Sequence, residues 1–326
     1  MDSDQHLRVA VDWAPAYELV LSLGCLVSFS KHRLLELGEA WATDARRRLP
    51  AGMAARLSRQ GAATPLNLKQ DHALLLLLAR VCPGPRHATS FVDWLTQLSA
   101  GEAYEALASR LPDAGPKLPR DFLSWRERVA NVLHVWDSIY FQTLDPAILD
   151  GLRQHAAALH SRVKTSSPEA LIEDMTNGLL VEPGDAPLLV TLVPQYHERP
   201  YNEDTAEQGG ILIFYPADVF APKLDQPPSG LLRLTRALGD ESRLRMLRFV
   251  ADGPCTLTEV ARFIGLSQPT VHHHLVQLRA AGLVRVHFTV SGPSRYSLRP
   301  HALDQLNVQL GRYLQAAAFS SERSST

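Results

Sequence analysis

The sequence predicts a mainly α chain with small β elements, an α+β protein built in two parts. Three observations carry that expectation. Apolar residues recur at helical spacing through most of the 326 residues, whereas only a few short runs are β-rich. Between the two parts, PADVFAPKLDQPPSG (216–230) holds four prolines, Pro216, Pro222, Pro227 and Pro228, with little periodicity. Proline cannot continue a helix, so this stretch reads as a stiff linker. The expected plan is a mostly helical domain over 1–215, the linker over 216–230, a compact module over 231–318 and a disordered tail over 319–326.

The elements follow in order. Pro15–Phe29 and His32–Arg48 read as helices, the second through Leu34, Leu35, Leu37, Trp41 and Ala45, with Lys31 and Arg46–Arg48 outside. Asp71–Val81, Thr89–Ser99 and Tyr104–Leu111 are shorter helices between Gly- and Pro-bearing turns. Pro119–Phe141 is the longest amphipathic stretch, with Phe122, Trp125, Val129, Val132, Leu133, Trp136 and Tyr140 on one stripe. Pro146–Val163 and Pro168–Asn177 each open with a proline, which the first helical position tolerates. Leu188–Val193 and Ile211–Tyr215 are β-rich and suggest a hairpin, and the alternation Leu7, Val9, Val11, Trp13 supplies a third strand.

Composition bounds the function. Hydrophobic residues make up 45% and charged residues 21%, as in globular proteins, and no run approaches the ~20 apolar residues that span a bilayer. The start, MDSDQHLRV, is unlike a signal peptide. Cys25, Cys82 and Cys255 are scattered and odd in number, so a reducing, cytoplasmic setting is expected. The net charge of −1 hides an asymmetry. Residues 229–318 hold eleven Arg, no Lys and five Asp or Glu, a net +6, whereas 1–228 are net −7. A basic module on an acidic one suits contact with nucleic acid.

From Leu231 the pattern sharpens. Leu231–Leu238 is a short helix stopped by Gly239, and Asp240 caps Glu241–Ala251, with Leu244, Leu247 and Val250 on one face. Thr256-Leu257-Thr258-Glu259 has capping-box spacing, and the helix it starts stops at Gly265. Ser267 caps the next helix, Gln268–Ala281, whose Val271, Leu275 and Leu278 point inward. Two helices that cross closely need a small residue, here Ala261, and a turn that tolerates positive φ, here Gly265. Val260, Ile264, Leu266 and Val271 would set the angle between them. This is helix-turn-helix spacing. Val284–Val290 then alternates as a strand, 291–294 is a turn, and Arg295–Arg299 returns, a β-hairpin placed as a wing. Ala302–Ala318 closes the module as an amphipathic helix whose stripe, Leu303, Leu306, Leu310, Tyr313 and Leu314, suggests a dimer interface.

The string LTRALGDESRLRMLRFVADGPCTLTEVARFIGLSQPTVHHHLVQLRAAGLV…RYSL resembles the ArsR family of winged helix-turn-helix regulators. The resemblance covers about 90 residues, and implies a homodimeric repressor that binds a palindromic operator in double-stranded DNA. Carried onto this chain, Gln268, Thr270, His272 and His273 lie on the exposed N-terminal face of the recognition helix, with Ser267 and Arg279 as phosphate contacts. Arg295, near the wing tip, would meet phosphate or a minor groove. Short polar side chains there suit base edges: Gln268 can pair with adenine, and Thr270 can donate to phosphate or touch a thymine methyl. His274 sits where such motifs often place an aliphatic residue and is expected to pack against the wing or an adjacent helix.

Many relatives sense metals, but their ligand patterns are missing here. Cys255 stands alone where a Cys-x-Cys pair is needed, and His301 and Asp304 have no partners later in the last helix. Consecutive histidines on a helix point ~100° apart, so His272–His274 cannot meet one ion; His155 and His160 are also badly spaced. No metal site and no cofactor are expected. The signal is assigned instead to the 1–215 domain, as a site for a small organic ligand or a protein effector, with Trp41, Trp94, Trp125 and Trp136 as possible lining residues beside the alternative that they are core. Its WAPAYELVLSL resembles the start of an uncharacterised domain on long ArsR-like proteins. No G-x-G-x-x-G, P-loop or G-x-S-x-G motif is present, so an enzyme is not expected. The alternatives are a metal-responsive repressor, or an enzyme or scaffold that uses the winged helix for dimerisation. The expected place of action is the cytoplasm, on the nucleoid.

Overall fold

The computed structural model describes residues 6–28, 32, 34–57, 70–112, 116–182, 186–220, 226–289, 293–300 and 302–322. It is mainly helical with two small sheets, the expected α+β class. Contacts divide the chain into two compact units, and neither is one continuous segment. One joins Arg8–Lys164 to Leu188–Val219, and the other joins Met1–Leu7, Thr165–Pro187 and Phe220–Thr326. The sequence reading placed a single boundary at 216–230; the contacts instead group 165–187 with the C-terminal helices.

In the first unit, β1 (Leu7–Val11), β3 (Leu188–Gln195), β5 (Gly210–Pro216) and β4 (Glu203–Glu207) form a sheet in the order β1-β3-β5-β4. The expected third strand is therefore present as β1. The expected hairpin between Leu188–Val193 and Ile211–Tyr215 is not, because β3 and β5 pair in parallel. The hairpin is β4–β5, turning at Gly209 with φ +69°. Strand β4, EDTAE, is acidic and lacks the β-rich signal, so the sequence hid it as loop.

Helix α1 (Pro15–Val27) is buried on every face, as an all-round apolar helix must be. It packs with α4 (Gln70–Val81), α5 (Ala88–Gln97) and α7 (Phe122–Ile139). Its polar side chains Ser22 and Glu18 are satisfied. Ser22 accepts from Trp136 Nε1 at 3.0 Å, and Glu18 accepts the backbone N–H of His197 at 2.9 Å and the His197 ring Nδ1. On the far side of that imidazole the Tyr140 hydroxyl, itself accepting from Trp41 Nε1 at 2.6 Å, donates to His197 Nε2 at 2.7 Å. Trp125 and Trp136 lie in the core, and Trp94 packs on Phe91. These tryptophans are structural members of the helical body.

Helix α2 (Gly38–Arg48) starts later than expected; Leu34, Leu35 and Leu37 precede it. Helix α6 (Ala100–Leu107) starts earlier than expected because Ser99 and Glu102 form a capping box. Helix α3 (Ala51–Leu57) was not expected, and α8 (Pro146–Arg162) was.

In the second unit, α9 (Pro168–Met175) and β2 (Leu179–Glu182) join α10 (Ser229–Leu238), α11 (Glu241–Ala251), α12 (Leu257–Ile264), α13 (Gln268–Ala280) and α14 (Ala302–Glu322). Their sheet runs β2-β7-β8-β6, with β6 (Cys255–Thr256), β7 (Val284–Thr289) and β8 (Arg295–Leu298). Leu234, Met246, Val250, Val260, Val271, Leu275, Leu278 and Leu283 form its core. Leu244 was expected inside but is 48% exposed, and Met246 takes the inner position. Leu266 is also exposed, so Val260, Ile264 and Val271 set the crossing without it. Helix α14 runs to Glu322, into the expected tail, whereas 323–326 lie outside the described residues. So do 221–225 of the linker, His301 and 290–292 of the wing turn.

Candidate DNA interface

Local chemistry builds the crossing of α12 and α13. Thr256 accepts the Glu259 N–H at 3.3 Å while the Glu259 carboxylate takes the Thr256 N–H at 2.7 Å. Hydrogen bonds from Thr256 hold the Glu259 carboxyl below the usual range, with the charges of Arg295 and Arg262 adding to them. Gly265 ends α12 at φ +77°, a conformation that a Cβ disfavours. The small Ala261 is buried in the core that α12 and α13 share. Ser267 then caps α13, its Oγ accepting the Thr270 N–H.

The first turns of α13 face solvent. Ser267, Gln268, Thr270, His272 and His273 are all exposed, whereas Val271, Leu275 and Leu278 are fully buried. Gln268 is not free to swing, because its Nε2 donates to Thr258 Oγ1 at 3.2 Å and so leans on α12. Ser267 Oγ and Thr270 Oγ1 lie 2.8 Å apart. His272 makes no hydrogen bond among the described residues.

His273 is oriented through a relay. Arg243, on α11, donates to the carbonyls of Ala237 and Arg236 and to Gln277 Oε1 at 2.7 Å. With that oxygen committed, the Gln277 amide nitrogen donates to His273 Nε2 at 2.9 Å. The neutral ring therefore carries its proton on Nδ1, available to an acceptor beyond the helix. Long-range ¹H–¹⁵N correlation above pH 7.5 should show the Nδ1–H tautomer, and Gln277→Ala should return the ring to the Nε2–H form preferred in water. An Nε2–H ring in the unaltered protein would break the relay. His274 is half-buried, and burial lowers its pKa.

Two arginines frame this face differently. Arg295, exposed on β8, sits opposite His287 of β7 and Thr256 of β6. Arg279 is half-buried in the last turn of α13, where its charge acts on Tyr296 of β8. It therefore stands at the opposite end of the helix from Ser267 and Gln268. The sequence reading did not single out Arg262, an exposed cation on α12. Its only signal was an outward position on the first helix of the pair. Among the described residues no group of three or more His, Cys, Asp or Glu side chains could hold a metal ion, and no helix is long and apolar enough to cross a membrane.

Comparison with known proteins matches this geometry. A family model described as a helix-turn-helix domain covers residues 238–287. Residues 238–287 are a helix-turn-helix domain. Fifty-six residues are 45% identical to the HTH-type transcriptional regulator CmtR of Mycobacterium tuberculosis and of Mycobacterium bovis, covering 17% of this chain and 48% of theirs. The HTH-type transcriptional regulator FL11 of Pyrococcus abyssi is 26% identical over 80 residues, 24% of this chain and 53% of its own. The chain thus spans about half the length of the curated relatives it matches. The resemblance to ArsR-type regulators read from the sequence rests on this domain. The helix-turn-helix match ends inside β7, so β8 and α14 extend it.

Proposed function

We propose that the protein is a sequence-specific transcriptional regulator, a homodimeric repressor of a palindromic operator, whose N-terminal unit takes a small organic ligand or a protein as effector. It acts without catalysis of its own, in the cytoplasm on the nucleoid. The observation that carries the reading is the exposed row Ser267, Gln268, Thr270, His272 and His273 on a helix of major-groove width, with Arg295 on the adjacent wing. An apolar stripe on α14, with Leu303, Leu310 and Leu314 exposed, supports a dimer.

The two kinds of contact separate in one titration. Arg295→Ala should weaken binding to every sequence alike and reduce the salt slope by about one. Gln268→Ala should instead lose discrimination at one base pair of each half-site, by about 1–3 kcal/mol. Fluorescence anisotropy across salt and single-base variants checks both. If neither substitution changes affinity, α13 and the wing are not the reading surface.

A further inference from the structure

The wing carries a strand that sequence reading did not foresee. Strand β2 comes from residues 179–182, more than a hundred positions before β7, yet pairs with it in parallel from Leu179↔Val286 to Glu182↔Thr289. It therefore flanks the rung on which His287 faces Arg295. The segment is fastened at three points. Glu173 on α9 accepts from Arg285 Nε at 2.6 Å and Nη2 at 2.8 Å, and its carboxylate lies 3.4 Å from buried Arg299 at the end of the wing. At Gly178, φ is +110°, a Cβ would lie 2.7 Å from the Val284 carbonyl oxygen, and the Gly178 carbonyl accepts the Val286 N–H at 2.8 Å. Glu182 lies 3.1 Å from His287 Nδ1, and His287 Nε2 is 2.8 Å from Ser297 Oγ.

We propose that α9 and β2, residues 168–182, position the wing for DNA binding. This rests on the DNA-binding reading above. Glu173 is then a positioning residue: it holds the two arginines at the base of the wing and touches no DNA.

The test uses the full chain, with Gly178→Ala, Glu173→Gln and Glu173→Asp, and DNA selected by the unaltered protein. Gly178→Ala adds a clash without changing charge; Glu173→Gln removes the anion without adding bulk. The expected result is at least tenfold faster amide exchange over 284–288, about tenfold weaker binding and a smaller salt slope. The base preference governed by Gln268 should be retained, and Glu173→Asp should recover part of the affinity. Unchanged exchange would overturn the proposal, as would faster exchange with unchanged affinity. Tighter binding of Glu173→Gln to all sequences would also overturn it, since Glu173 would then be masking arginines from phosphate. If Gly178→Ala does not fold, the Glu173 pair decides. An unaltered chain that selects no DNA sequence would instead remove the DNA reading itself, visible before any variant is made.

Discussion

Replacing Leu303 and Leu314 together with glutamate should leave the protein monomeric and weaken operator binding by about 100-fold or more. Both side chains are 58% exposed, with Leu310 between them on the same stripe at 39%. Charges there meet water in the monomer, so the fold should tolerate them, while a second copy would have to bury four carboxylates. A palindrome bound by two linked recognition helices gains a factor of ~10²–10⁴ over one, because the second docking is intramolecular. Sedimentation velocity should show a single slow species, and anisotropy should show half-site affinity only. A double variant that stays dimeric would move the interface elsewhere.

Asp12→Asn should destabilise the N-terminal unit by about 3 kcal/mol. The Asp12 carboxylate accepts from Arg86 Nη2 at 2.6 Å, Arg86 Nη1 at 2.8 Å and the Tyr17 hydroxyl at 2.6 Å, and pairs with Arg80. Its side chain is 12% exposed and those of both arginines 17%, so removing the anion leaves two cations poorly solvated. Burial alone would raise the Asp12 pKa, but the hydrogen bonds from Arg86 and Tyr17 and the two positive charges outweigh it and hold the carboxyl well below the usual range. A depressed carboxyl stabilises the fold above the unfolded-state pKa of ~3.9 and loses that contribution as pH falls toward the folded value. The difference between the unaltered protein and the variant should therefore be flat from pH 8 to about 5 and shrink below about 4. Urea unfolding across that range checks it. A difference that grew on acidification would contradict the assignment.

Much of the C-terminal unit was legible because its signals are local. A cap at Asp240, a capping box from Thr256 to Glu259, Gly265 at positive φ and Ser267 each act within four residues, and each stands where it was read. The row Gln268, Thr270, His272 and His273 came from the resemblance to ArsR-type regulators, and all four side chains are exposed. What escaped was non-local. Strand β2 is four residues long, its partner is over a hundred positions away, and only the parallel pairing shows that it belongs to the wing. The mistaken hairpin has the same origin: two β-rich runs look alike whether they pair antiparallel or parallel, and acidic β4 between them gave no strand signal. The His273–Gln277–Arg243 relay spans two helices, α13 and α11, and could not be read from either alone.

The most direct test of DNA reading is selection of binding sequences by the purified full-length protein from a random duplex pool at physiological salt. Reading by α13 predicts enrichment of an inverted repeat whose half-site centres lie about one helical turn, or a multiple of it, apart. It also predicts that Gln268→Ala relaxes one position in each half. Recovery of no sequence preference, with affinity set by salt alone, would contradict it.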